Sequence, residues 1–210
     1  GTLTEAGKKR YGESSIQHAK KYNLNMWGKD SSHNVLYITG LSGSGKSTAA
    51  RYLASSGDKI IHLDGYTEKG NSSLQNKSFN LYLSNTISNW RSLFGEGAIE
   101  RFSPEYWKIV DQFRNAISQY GVLQYSKGHK VVVEGVQLND DWWSENKKWF
   151  VGKPFMIMDS GPLKSSYRAV SRDNRRFEST EDLKTFTSGY IKANRRLKDL
   201  QAIMESERQE

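Results

Sequence analysis

The chain has no cysteine, three prolines and four histidines in 210 residues, and each scarcity closes off some chemistry. Without cysteine there is no disulfide, no thiolate nucleophile and no Cys-ligated zinc or iron–sulfur centre. His18, His33, His62 and His129 show no His-x-x-x-His spacing, which argues against a zinc hydrolase. No apolar run approaches the roughly 20 residues of a membrane span, and the first residues lack the apolar core of a secretory signal. A cytoplasmic location with no membrane partner is therefore expected. Apolar residues make up only 36% of the chain, but six Trp, eleven Tyr and eight Phe restore burial capacity and exclude a disordered reading. Acidic residues are also outnumbered, leaving a net charge of +8. That balance favours anionic partners such as nucleotides, nucleic acid or phosphosugars.

Residues 1–34 read as a basic helical appendage with a short amphipathic helix over 13–22 and a polar linker over 28–34. Residues 35–210 read as the main domain. Short apolar runs bounded by turn residues predict strands at 35–39, 59–63, 130–133 and 154–158, with no clear fifth strand. Helical spacing of Trp107, Val110, Phe113, Ile117 and Tyr120 predicts a long helix over 104–125. Further helices are predicted at 47–55 and about 180–207. Alternating buried strands and helices imply a three-layer α/β/α sandwich with a parallel central sheet of four or five strands. In open sheets of that kind, ligands bind beyond the carboxyl ends of the strands. The four predicted strands end at Gly40, Asp64, Glu134 and Asp159, and chemistry is sought on that rim.

Gly40-Leu41-Ser42-Gly43-Ser44-Gly45-Lys46-Ser47 fits G-x-x-x-x-G-K-[ST] at every fixed position, directly after a strand and opening a helix. Its glycines let successive N–H groups turn inward as an anion nest, and the helix N-terminus adds partial positive charge. Lys46 can reach the β- and γ-phosphates of a nucleoside triphosphate, and the Ser47 hydroxyl can ligate Mg²⁺. Ser42, Ser44 and Thr48 complete the expected nucleotide-binding set. There is no guanine-reading Asn-Lys-x-Asp. The third strand closes on a single acid, Glu134, rather than the acidic pair common in ring-forming ATPases.

The loop with Thr48, the strand Ile60-Ile61-His62-Leu63-Asp64-Gly65 and the segment Arg168-Ala169-Val170-Ser171-Arg172-Asp173 together resemble the P-loop kinase group. That group includes adenylylsulfate kinases, uridine kinases, zeta toxins and polynucleotide kinases, and the likeness spans roughly residues 35–177. Where adenylylsulfate kinases follow Asp-Gly with another Asp and a nearby Arg, Tyr66 and Thr67 stand here. Val133-Glu134-Gly135-Val136-Gln137 with the Arg-rich segment resembles, more faintly, kinase-like domains in polyproteins of phages and mobile elements. The resemblance implies a nucleoside-kinase-like P-loop fold, with ATP and Mg²⁺ as cofactors and a lid over about 162–177. It also implies an acceptor region over about 65–104, between the second and third predicted strands.

On this reading Asp64 is the base or hydroxyl-orienting carboxylate, and Glu134 holds Mg²⁺ partly through water. Arg168 and Arg172, four apart and on one helical face, close over the triphosphate. Arg175 and Arg176 are lesser lid candidates, and Asp159 is expected to be structural. Tyr82, Trp90, Trp142, Trp143 and Trp149 are expected to serve packing. Three functions remain open: phosphorylation of a hydroxyl on a small or nucleotide-like acceptor, a nucleic-acid kinase, or a non-catalytic ATP-binding module of a larger phage-type assembly. Residues 164–176 hold five basic side chains against one acidic, and residues 1–34 hold six against three. Much of the charge excess thus has an address at the expected lid and the N-terminal segment, which favours a triphosphate partner first.

Overall fold

A computed structural model describes residues 4–27, 34–66, 76–84, 86–139 and 153–208. In chain order the elements are α1 (Glu5–Ile16), β1 (Lys20–Tyr22), β2 (Val35–Gly40), α2 (Lys46–Leu53), β3 (Lys59–His62), α3 (Lys77–Tyr82) and α4 (Ile87–Arg91). They continue with α5 (Pro104–Ser126), β4 (Val131–Glu134), β5 (Phe155–Met158), α6 (Pro162–Asp173) and α7 (Thr180–Arg208). The fold is α/β, built on one five-stranded sheet of order β1-β5-β2-β4-β3.

The four strands read from the sequence pair in parallel, with Val35 opposite Val131, Tyr37 opposite Phe155 and His62 opposite Glu134. Their residues are apolar on both sides because both faces are covered. Leu36, Ile38, Val132, Met156 and Met158 face Ala49 and Ala50 of α2. Val35, Tyr37, Val133, Phe155 and Ile157 face Val110, Phe113 and Ile117 of α5 and Leu197 and Leu200 of α7.

Two expectations are corrected here. The sheet is mixed, because β1 pairs antiparallel with β5, Lys20 opposite Ile157 and Tyr22 opposite Phe155. The helix predicted over 13–22 ends at Ile16, and Lys20–Tyr22 form a strand instead. Sheet pairing overrides local helical preference there: Tyr22 is buried and its hydroxyl donates to Glu205 Oε1 at 2.9 Å. The two lysines beside it suit an outer strand, which they protect from pairing with another chain. The stretch read as an appendage is therefore built into the sheet, and α1 packs along α2, with Gly12 so close to Tyr52 that a Cβ would overlap the ring.

Local signals set the other boundaries. Ser103 accepts from the Tyr106 amide and Pro104 occupies the first turn of α5, a preorganised helix start. Asn174 takes a left-handed conformation (φ 49°) and stops α6, a helix-terminating role Asn can fill. Trp90 is fully buried and stacks on Phe113 with centroids 4.1 Å apart, as its packing role required. Tyr82 is more exposed than expected at 40%, its hydroxyl donating to Gln119 Oε1 at 3.0 Å. Trp142, Trp143 and Trp149 lie outside the described residues.

Candidate functional site

Because β2, β4, β3 and β5 run parallel, their carboxyl ends share one rim. The glycine-rich loop leaves β2 there and turns into α2. Gly43 and Gly45 adopt φ of 84° and 94°, a region costly for residues with a Cβ. Gly43 has a second reason to be glycine: a Cβ would run into the Ser165 carbonyl and the Ala169 amide of α6. The expected lid helix therefore rests directly on the loop.

Lys46 opens α2, and its ammonium donates to the Leu41 carbonyl at 2.8 Å, closing across the loop. It is only 6% exposed. Burial holds its pKa below the ordinary lysine value, opposed by the charges of Glu134 and Asp64, while Arg172 adds to the lowering. These influences bring Lys46, Asp64, Glu134 and Arg172 into one electrostatic neighbourhood.

Glu134 is the centre of that group. It ends β4, directly opposite His62 of β3 and Ile38 of β2. Its Oε1 accepts from Ser47 Oγ at 3.0 Å and lies 2.6 Å from His62 Nδ1. With the His62 proton on Nδ1, both hydrogen bonds fall on the same carboxylate oxygen. The other oxygen, Oε2, is buried without a partner. Burial raises the Glu134 pKa, but the His62 hydrogen bond, the Lys46 charge and the Ser47 hydroxyl outweigh it, so the carboxyl sits below the usual glutamate range. A buried carboxylate oxygen with no donor is costly unless a ligand uses it. Among the described residues, no three His, Asp or Glu side chains gather as a metal cage. The Ser47 hydroxyl beside an open carboxylate oxygen nonetheless matches the sparse protein ligation of Mg²⁺, which keeps several waters.

No protein-family model and no curated protein sequence matches this chain. The site therefore rests on its own geometry.

Asp64 lies in a short 3-10 turn after β3, and its Oδ1 accepts from Gln137 Nε2 at 3.0 Å. Gly135 makes this contact possible, since a Cβ there would collide with Gln137 and Leu63. Ser42 is gripped twice: Arg172 Nη2 reaches its hydroxyl at 3.5 Å, and the Tyr190 hydroxyl donates to its carbonyl at 2.9 Å. Arg168 is half-buried one turn before Arg172 on α6, whose Ser165 and Ala169 are buried. Ser44 is buried with no partner for its hydroxyl, and Thr48 is half-buried in the first turn of α2. Gly40 leaves room for the Met158 carbonyl, which would stand 2.6 Å from an added Cβ.

Arg175 and Arg176 do not continue the Arg168–Arg172 face, because α6 stops at Asp173. Arg175 instead pairs with Asp182 at 3.0 Å and covers the rings of Phe177 and Phe186. Asp159 accepts from Lys198 at 2.6 Å and Gln201 at 3.1 Å, tying β5 to α7 as a structural acid. In the expected acceptor region, Tyr66 and Phe79 join Trp90 in the core, while Lys69 lies outside the described residues. Sequence reasoning missed His62, Gln137 and Tyr190. His62 had one signal, its place two residues before Asp64 at a strand end. Gln137 and Tyr190 become visible only through the contacts they make.

Proposed function

We propose that this protein transfers the terminal phosphoryl group of a nucleoside triphosphate, ATP, to a hydroxyl, within a P-loop kinase fold. The observation that carries the reading is Glu134: its Oε1 is held by Ser47 and His62 while its Oε2 stays buried and open. Ser47 Oγ and Glu134 Oε2 are the atoms that would hold Mg²⁺, the second partly through water. When bound, the ion neutralises phosphate charge and polarises the transferring group. The loop amides and Lys46 receive the phosphates, and Lys46 releases the Leu41 carbonyl to do so. Arg172, already over Ser42, faces charge that develops on the transferring group.

The acceptor hydroxyl oxygen bonds to the γ-phosphorus as the bond to the β,γ-bridging oxygen breaks. The diphosphate leaves and the hydroxyl proton passes to Asp64. Gln137 keeps that carboxylate at the rim. Two measurements test the assignment. Titration with a non-hydrolysable ATP analogue should show binding that Mg²⁺ strengthens and Lys46→Ala removes. Asp64→Asn should abolish transfer of labelled phosphate and spare analogue binding; transfer surviving in that variant would remove Asp64 from its role.

A further inference from the structure

A cleft of about 920 Å³ lies along the flank of the glycine-rich loop, and Lys46, Ser47, Asp64 and Glu134 are not in its walls. One wall is Gly40–Ser42, another is the segment after β4 at Val136 and Asn139, and the third is α7. Its volume falls within the range of small-molecule sites. The α7 wall presents Phe186 and Tyr190, rings 5.0 Å apart, and the cations Lys192, Arg195 and Arg196 against one acid, Asp199. Gly189 sits between the two aromatics, in the middle of a 29-residue helix. Glycine costs a helix interior about 1 kcal/mol relative to alanine. Packing does not demand it, since a Cβ there would meet nothing within 4 Å. It lines the cleft beside the loop, where a larger side chain would enter open space.

Aromatic faces with clustered cations suit a ring-bearing anion. The cleft is also joined to the proposed chemistry: Gln137, which donates to Asp64, lies between the wall residues Val136 and Asn139. We propose that this cleft, rather than the region 65–104, binds the acceptor, and that the acceptor is a small ring-bearing phosphate ester of the nucleoside monophosphate class. The assignment rests on the phosphoryl-transfer reading above. Its ring lies against Phe186 and Tyr190, its phosphate meets Lys192, Arg195 and Arg196, and its hydroxyl points toward the loop.

The test uses the full chain and anilinonaphthalene sulfonate, an aromatic anion whose fluorescence reports binding. Adenosine, guanosine, cytidine and uridine monophosphates, inorganic phosphate, free adenosine and a 5′-phosphorylated oligonucleotide serve as competitors. At least one monophosphate should displace the probe while inorganic phosphate and adenosine do not. Gly189→Leu should weaken both probe and monophosphate by about tenfold or more and leave affinity for the ATP analogue unchanged. This variant adds a helix-favouring side chain into open space, so its melting temperature should hold or rise. Lys192→Ala combined with Arg195→Ala should weaken the monophosphate and flatten its salt dependence.

The proposal is overturned if no monophosphate displaces the probe, if Gly189→Leu changes neither affinity, or if the ATP analogue alone competes with the probe. Stronger displacement by the oligonucleotide than by any monophosphate would replace it with a nucleic-acid acceptor. Failure of the ATP analogue to bind anywhere would instead sink the phosphoryl-transfer reading, and the probe measurements would still report on the cleft.

Discussion

Replacing Glu134 with glutamine separates its charge from its hydrogen bonds. In Glu134→Gln the side-chain carbonyl can still accept from Ser47 and from His62, which lie 3.0 and 2.6 Å from the native oxygen. Only the negative charge beside the buried Lys46 is lost. That charge acts on Lys46 across the site and not through a direct ion pair, so the loss falls below the cost of breaking a buried pair, about 3–5 kcal/mol. Asp64 also acts on Lys46 but is exposed, so it compensates only in part and the expected loss is about 2–3 kcal/mol. Glu134→Ala also removes the acceptor for both donors and strands a buried His62 N–H, which adds about 2 kcal/mol.

Urea unfolding at neutral pH without Mg²⁺ should therefore rank the wild type, Glu134→Gln and Glu134→Ala in falling midpoint with a common slope. Titration of the ATP analogue should show the glutamine variant binding in the absence of Mg²⁺ but gaining nothing when it is added. Equal destabilisation by the two substitutions would mean that the hydrogen bonds contribute nothing and the charge carries the whole effect, against the additional cost expected for Glu134→Ala. A fully stable glutamine variant that kept its Mg²⁺ enhancement would refute the argument outright.

His62→Asn, able to donate to the same oxygen, should preserve most of the Mg²⁺ enhancement, whereas His62→Ala should raise the Mg²⁺ concentration needed for half-maximal analogue binding several-fold. Gly43→Ala should destabilise the protein by about 2–3 kcal/mol, from left-handed strain and the clash with α6, and weaken analogue binding; chemical unfolding and calorimetry read the two effects. The Asp159 pKa is raised by burial but lowered further by Lys198 and Gln201, leaving it below the aspartate norm. Its folded-state pKa is thus below the unfolded value of about 3.9. Its contribution is present above that pH and lost as pH falls through the lower folded value. Asp159→Asn should reduce the melting temperature at pH 6 and narrow its gap to wild type toward pH 3.

Much of the rim could be read directly from residue order. The four parallel strands are short apolar runs that end at Gly40 and Glu134 or within two residues before Asp64 and Asp159, and α5 follows its aromatic spacing to within a residue. The loop is legible because its glycines fall where a positive φ or the close approach of α6 disfavours a Cβ. What could not be read depends on contacts distant in sequence. Lys20–Tyr22 become a strand only because Phe155–Ile157 offer a partner. His62 looks like an ordinary strand residue until the register sets it opposite Glu134. Arg175 looked like a lid arginine because helical spacing was extended past Asn174, where α6 ends. The place of α7 beside the loop, and the cleft it makes, followed from no local pattern.

The pairing of β1 with β5 also constrains the order in which the molecule can be assembled. Tyr22 and Phe155 are neighbours in the sheet, and Tyr22 bonds Glu205, 183 positions away. During synthesis β1 leaves the ribosome long before β5 and must wait for it, since long-range pairing cannot form before both partners exist. Until then, β1 has no strand to pair with and the apolar face of Tyr22 is open to another chain. Closure of this one short strand should therefore be a late folding event, and a chain truncated before α7 should be sticky rather than merely less stable.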